Sequence, residues 1–181
     1  MKFLETPLSG AFVVETAPNE DERGSFTRTF CHREFEEHGL RFDVRQTSIS
    51  YNRKQNTLRG LHYQKAPYVE SKLVTCIRGA IYDVIVDLRW TSGTFGQWYA
   101  AALSADKGSM MFVPAGFAHG FQTLTDDAEV LYQISEFHHP EAAAGLRWDD
   151  PRLAIPWRSS NHIMSERDRV WPFFDEVFSS S

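Results

Sequence analysis

From Val44 onward the chain is a succession of short apolar runs broken by Gly, Pro and Asp. The clearest runs are 72–77 (KLVTCI), 80–88 (AIYDVIVDL), 96–103 (GQWYAAAL), 110–113 (MMFV), 116–124 and 129–136 (EVLYQISE). Runs this short, between turn residues, predict strands. Arg78-Gly79 is a two-residue break, so 72–77 and 80–88 are predicted to form a hairpin. Residues 32–39 (HREFEEHG) predict a short helix stopped by Gly39. Residues 21–29 (DERGSFTRT) read as a turn at Gly24 entering a strand. After about Asp149 the chain is expected to be loop-rich, with a short helix near 165–168. Strands this short and frequent predict an all-β sandwich, jelly roll or barrel. No internal repeat is visible, and the terminal serines at 179–181 are expected to fray.

Period-two alternation assigns faces. Ile81, Asp83, Ile85 and Asp87 share one face of 80–88, and Tyr82, Val84, Val86 and Leu88 the other. Lys72 shares a face with Val74 and Cys76, and Tyr132 with Val130 and Ile134. Polar groups on apolar faces cost roughly 1–3 kcal/mol each when unpartnered. One such residue, Asp83 alone, is as readily explained by a solvated face or a barrel mouth. Lys72, Asp83, Tyr132 and His62 together predict a polar-lined pocket inside a β-barrel.

Composition narrows the picture. The 181 residues suggest one domain, or one with a modest appendage. Hydrophobic residues make up 42% and aromatics 14%, enough for a core, and the 14 phenylalanines suit a β-rich one. A net charge of −5 argues against a nucleic-acid partner, although a few converging arginines can still bind a phosphate. Two cysteines, Cys31 and Cys76, are too few for a disulfide scaffold, and Cys76 reads as a core residue. No apolar h-region opens the chain, and no window approaches the about 20 apolar residues that span a bilayer. A soluble cytoplasmic protein without a membrane partner is expected.

Candidate chemistry centres on 57–64, TLRGLHYQ. His62, flanked by Leu58, Leu61 and Tyr63, is expected to be largely buried. A lone histidine on such a strand is most often a satisfied core residue. His119, in PAGFAHGF, raises the same question, and two histidines in two strands make metal binding the first reading to test. A cupin-type HxH pair is absent, because Tyr63-Gln64 follows His62, and the adjacent His138-His139 would point to opposite faces. No metal and no cofactor are therefore expected. A buried histidine beside an acid is instead a general base. Asp168, in SERDR, is a candidate partner, Lys72 a candidate oxyanion stabiliser, and Tyr132 a candidate acid. Arg23, Arg59 and Arg167 are candidates for gripping an anion, although each alone is more often a surface residue. Strict alternation separates Arg59 from His62; a bulge at Gly60 would bring them to one face.

The chain resembles the dTDP-4-dehydrorhamnose 3,5-epimerase family of metal-free cupin sugar epimerases. The likeness runs through DERGSF at 21–26, TLRGLHYQ at 57–64, KLV at 72–74, GAIYDVIVDLR at 79–89, VPAGFAHGFQTL at 113–124, LYQIS at 131–135, RWDDP at 147–151 and SERD at 165–168. The resemblance implies a cupin-type jelly roll with short peripheral helices. It implies one epimerase domain over 1–181, in a homodimer whose N-terminal segment reaches the partner's pocket. By the same resemblance His62 matches the catalytic base, Asp168 its carboxylate, Tyr132 the acid, and Lys72 the lysine near the keto oxygen. Arg59 and His119 match further pocket residues, with Arg59 buried to meet a diphosphate. Arg23, Phe26 and Gln46 match nucleotide-side residues.

Two departures bear on specificity. Many members read Gln-x-Asn where this chain has Gln46-Thr47-Ser48, and many carry a base-stacking tyrosine where Phe137 stands. Phe137 retains a stacking ring, whereas Ser48 lacks an amide's donors and carbonyl. The expected substrate is a nucleotide-diphospho-4-keto-6-deoxy sugar. The leading reaction is dTDP-4-dehydro-6-deoxy-D-glucose to dTDP-4-dehydro-L-rhamnose, with inversion at C3 and C5. The alternatives are a single-centre epimerase on a related nucleotide sugar, and a non-catalytic carbohydrate-binding jelly roll. The full set of His62, Lys72, Tyr132 and Asp168 weighs against the second, because binding needs neither base nor acid. A metal-dependent cupin is disfavoured by the missing HxH.

Overall fold

The structure is a computed structural model that describes residues 1–178; the terminal serines expected to fray lie outside the described residues. Two antiparallel sheets face one another. In the larger, the order is β1 (Lys2–Glu5), β2 (Phe12–Glu15), β10 (Ser109–Val113), β7 (Lys72–Arg78), β12 (Ala128–Ile134) and β5 (Gln46–Asn52). In the smaller it is β13 (Ala143–Gly145), β6 (Leu58–Gln64), β11 (Phe117–Thr123), β8 (Ala80–Asp87) and β9 (Trp98–Ser104). A separate hairpin joins β3 (Asn19–Asp21) to β4 (Gly24–Phe26). The helices α1 (His32–Glu37), α2 (Glu166–Arg169) and α3 (Phe174–Phe178) are short and peripheral. This is the expected cupin-like jelly roll. Among the described residues no helix is long and apolar enough to cross a membrane.

The faces follow the alternation. Val74, Cys76, Ile81, Ile85, Met111, Phe117, Phe121 and Val130 fill the space between the sheets. The opposite face of β8 is buried too: Tyr82, Val84 and Val86 pack under Leu146, Leu153, Ile155 and Phe174 of the C-terminal segment. Leu73, Met110 and Phe112, on the outside of the larger sheet, are covered by Phe35 and Phe42 around α1. That helix ends as its sequence predicts, with Gly39 at φ +72°.

Three expectations need correction. Residues 72–77 and 80–88 do not form a hairpin. β7 pairs with β10 and β12, while β8 pairs with β11 and β9. Gly79, at φ +73°, turns the chain from one sheet into the other, where a Cβ would lie 2.2 Å from Thr125 Oγ1. A positive-φ glycine serves a sheet-to-sheet corner as well as a hairpin. The N-terminal strands β1 and β2 carried no strand assignment, and α3 follows the expected short helix at α2. Finally, His62 and Arg59 are not buried: the His62 side chain is 44% exposed and Arg59 is exposed. His62 faces the open cleft between the sheets, and Arg59 reaches across to Asn52 of β5.

The expected bulge is present. His119 stands opposite His62, and Phe121 opposite Arg59, so two residues of β11 span three of β6. The extra residue puts Arg59 and His62 on one side. Gly60 has φ +127°, and a Cβ there would lie 2.5 Å from Gly120 Cα, so the two backbones touch where a side chain has no room.

Candidate active site

One cleft of about 280 Å³ opens between the sheets. His62 and His119 enter from the smaller sheet, and Lys72, Tyr132, Gln46 and Ser48 from the larger. Arg167, at α2, lies along the same cleft. Seven of the twelve expected residues are thus brought together, and an eighth, Asp168, stands behind His62.

His62 Nε2 lies 2.6 Å from Asp168 Oδ1 across 106 residues of sequence. α2 makes this contact: the Ser165 hydroxyl caps it by accepting the Asp168 backbone N–H at 3.1 Å. Burial pushes the Asp168 carboxyl up. Hydrogen bonding and charge from His62, with donation from Trp171 and the Gly60 backbone, outweigh this and hold it below its ordinary value. An ionised carboxylate only accepts, so Nε2 is the donor in this pair.

A second pair lies beside the first. His119 Nε2 is 2.7 Å from Oδ1 of the wholly buried Asp83. This settles Asp83 as paired inside rather than solvated. Among the described residues its Oδ2 is the buried side-chain oxygen left without a hydrogen bond. Burial raises the Asp83 carboxyl, opposed by His119 and Lys72. Burial, with the Asp83 charge second, also raises the Tyr132 phenol strongly against the opposing pull of Arg59. Tyr132 meets the His119 ring edge-on at 5.8 Å. Lys72 Nζ is held 2.9 Å from Glu70 Oε1.

The remaining expected residues lie elsewhere. Arg59 sits outside the cleft lining, its Nε donating to Asn52 Oδ1 at 2.8 Å. Phe137 is exposed under Arg45, whose guanidinium lies 5.6 Å from the ring centre. It precedes the cleft-lining His138, whose N–H donates to Gln46 Oε1 at 2.6 Å. Arg23 and Phe26 belong to the exposed β3–β4 hairpin and do not line the cleft of their own chain. Arg23 pairs with Asp21 at 2.6 Å, and Phe26 is 77% exposed. Among the described residues no group of three His, Cys, Asp or Glu side chains is placed to hold a metal ion.

Glu70 and Trp171 escaped sequence reasoning. Each carried a signal in its nearness along the chain: Glu70 lies two residues before Lys72, and Trp171 three after Asp168, just past the end of α2.

A family model for dTDP-4-dehydrorhamnose 3,5-epimerase matches residues 5–176. The dTDP-4-dehydrorhamnose 3,5-epimerase of Methanothermobacter thermautotrophicus is 42% identical over 173 residues, covering 94% of this chain and 92% of that protein. The crystal structure of the Bacillus anthracis dTDP-4-dehydrorhamnose 3,5-epimerase, with TDP and PPi bound, superposes with a TM-score of 0.93 at 41% identity, over 96% of this chain and 99% of that one. The Legionella pneumophila dTDP-6-deoxy-D-glucose-3,5-epimerase, in complex with dTDP-4-keto-L-rhamnose, gives 0.92 at 32% identity, over 98% and 95%. With the fold, the gathered side chains and these likenesses in agreement, the chain belongs to the dTDP-4-dehydrorhamnose 3,5-epimerase family of isomerases.

Proposed function

We propose that the chain converts dTDP-4-dehydro-6-deoxy-D-glucose to dTDP-4-dehydro-L-rhamnose, inverting C3 and C5 by proton transfer next to the 4-keto group. The observation that carries this reading is the His62–Asp168 pair at 2.6 Å, facing Tyr132 and Lys72 across one cleft. His62 takes the proton from the carbon beside the ketone, and the C–H electron pair moves onto the keto oxygen. Asp168 holds the imidazole and stabilises the imidazolium. Lys72 offers its ammonium to the enolate oxygen, sharing it with Glu70. Tyr132, on the other sheet, returns a proton to the opposite face. Burial raises its pKa, so the phenol carries its proton in the resting site. Solvent then reprotonates Tyr132 and takes the proton from His62.

The test is incubation with dTDP-4-keto-6-deoxyglucose in D₂O, with deuterium counted at C3 and C5. Label at both carbons is expected. His62→Asn is expected to slow uptake by about 10²–10⁴-fold while leaving the fold intact. Label at one carbon would restrict the reaction to a single centre, and none would overturn the reading.

The assembly proposed with it is a homodimer in which the β3–β4 hairpin carries Arg23 and Phe26 to the partner's cleft. Its support is the full exposure of that hairpin and the exposed Ile49, Tyr51 and Ile77 on the outside of the larger sheet.

A further inference from the structure

Trp171 has no place in the proton-transfer steps above, yet it touches both members of the His62–Asp168 pair. Its indole Nε1 donates to Asp168 Oδ1 at 3.3 Å, the same oxygen that pairs with His62 Nε2. Its ring meets the His62 ring edge-on, with centres 6.3 Å apart and planes at 72°. The Arg167 guanidinium covers it at 4.8 Å. Gly145, directly opposite His62 in the β13–β6 pairing, lies beneath it. A Cβ on Gly145 would stand 2.6 Å from indole Cε2 and Nε1. The strand next to the base therefore has no side chain at Gly145, where the indole lies.

We infer that Trp171 is a positioning residue for the His62–Asp168 pair, fixing the orientation and basicity of the base, and that Gly145 is a glycine in order to admit it. The inference rests on the epimerase reading for its consequence in catalysis, but not for its physical content. Each donor on a carboxylate withdraws some of its charge from the others. With the indole N–H in place, Asp168 holds the His62 proton less tightly than it otherwise would. That keeps more of His62 in the neutral, proton-accepting form near neutral pH.

Trp171→Phe keeps a ring over Gly145 and deletes the N–H. Arg167 keeps an aromatic ring beneath its guanidinium, and His119, His138, Lys72, Glu70 and Tyr132 share the cleft and keep their own side chains. In ligand-free protein with ¹⁵N-labelled histidines, the His62 titration is expected to move up by about half a pH unit. The acid limb of kcat/KM is expected to move with it, with little change in KM. A merely structural role would lower stability or kcat and leave the His62 titration where it was. An unmoved or downward-moved titration in folded Trp171→Phe overturns the inference, whatever its activity. A second measurement needs no variant: the Trp171 indole N–H resonance, assigned through its proximity to His62, is expected to shift with the His62 titration. A resonance flat across that titration also overturns the inference. Because both readouts use ligand-free protein, they decide the role of Trp171 even if no deuterium exchange is found and the epimerase reading fails.

Discussion

Tyr132 and Lys72 stand on the same sheet, but the proposed chemistry gives them separable tasks. Tyr132→Phe removes only the hydroxyl, so packing against His119 changes little. This variant is expected to keep exchanging substrate protons with D₂O while inverting configuration at least about 10²-fold more slowly. Lys72→Ala acts on the enolate shared by removal and return, so exchange and inversion are expected to fall together. Deuterium uptake and product stereochemistry, read on the same samples, check both. Inversion by Tyr132→Phe at the unmodified rate would make water or another group the acid. The exposure of His62 fits its task as well. A base must reach a carbon-bound proton in the cleft, so it is held from behind by Asp168 rather than packed on all sides.

At the scale of the element, β6 owes its shape to Gly60. Its positive φ and its contact with Gly120 together exclude a side chain. Gly60→Ala is expected to destabilise the fold by more than about 2 kcal/mol, read by urea unfolding, and to misplace Arg59 and His62. Unchanged stability would mean that the bulge tolerates a side chain. The end of β8 is fixed differently. Burial pushes Asp87 up, but hydrogen bonds from the Arg89 side chain and backbone, Ser92 and Thr94 hold it at about 2. An acid whose folded pKa lies below its unfolded value stabilises above the unfolded pKa, and the contribution drains away as pH falls through the folded one. Asp87 is therefore expected to contribute on the order of 2 kcal/mol above pH about 4, lost toward pH about 2. Asp87→Asn removes this dependence, so the gap in unfolding free energy between unmodified protein and variant should narrow across that window. A constant gap would count against the assignment.

At the scale of the molecule, the proposed assembly divides each site between two chains. Arg23 lies outside its own chain's cleft, whereas His62 lies inside it. Mixing Arg23→Ala subunits with His62→Ala subunits is expected to regenerate activity, because each hybrid dimer contains one intact site. Deuterium exchange before and after mixing is the measurement. No recovery despite proven subunit exchange would show that each site is built from one chain.

The sequence by itself determined where most strands run, where α1 stops, and which faces carry Lys72, Asp83 and Tyr132, because alternation and capping are local. It left a bulge at Gly60 open as a way to bring Arg59 and His62 to one face, and the register of β6 against β11 decided it. Only the tertiary structure decided that Gly79 is a corner between sheets, since the same glycine chemistry serves both kinds of turn. Pairing partners are set by distant strands: β7 finds β10 and β12, not its neighbour β8. The exposure of His62 and Arg59 followed the same logic, because periodicity gives a side chain its face but not what packs upon it. Asp168, Asp83 and Trp171 became neighbours of the two histidines by folding across tens of residues, where no local period relates them. Glu70 stood beside Lys72 in the chain, but whether it met the ammonium or solvent depended on the cleft that both line.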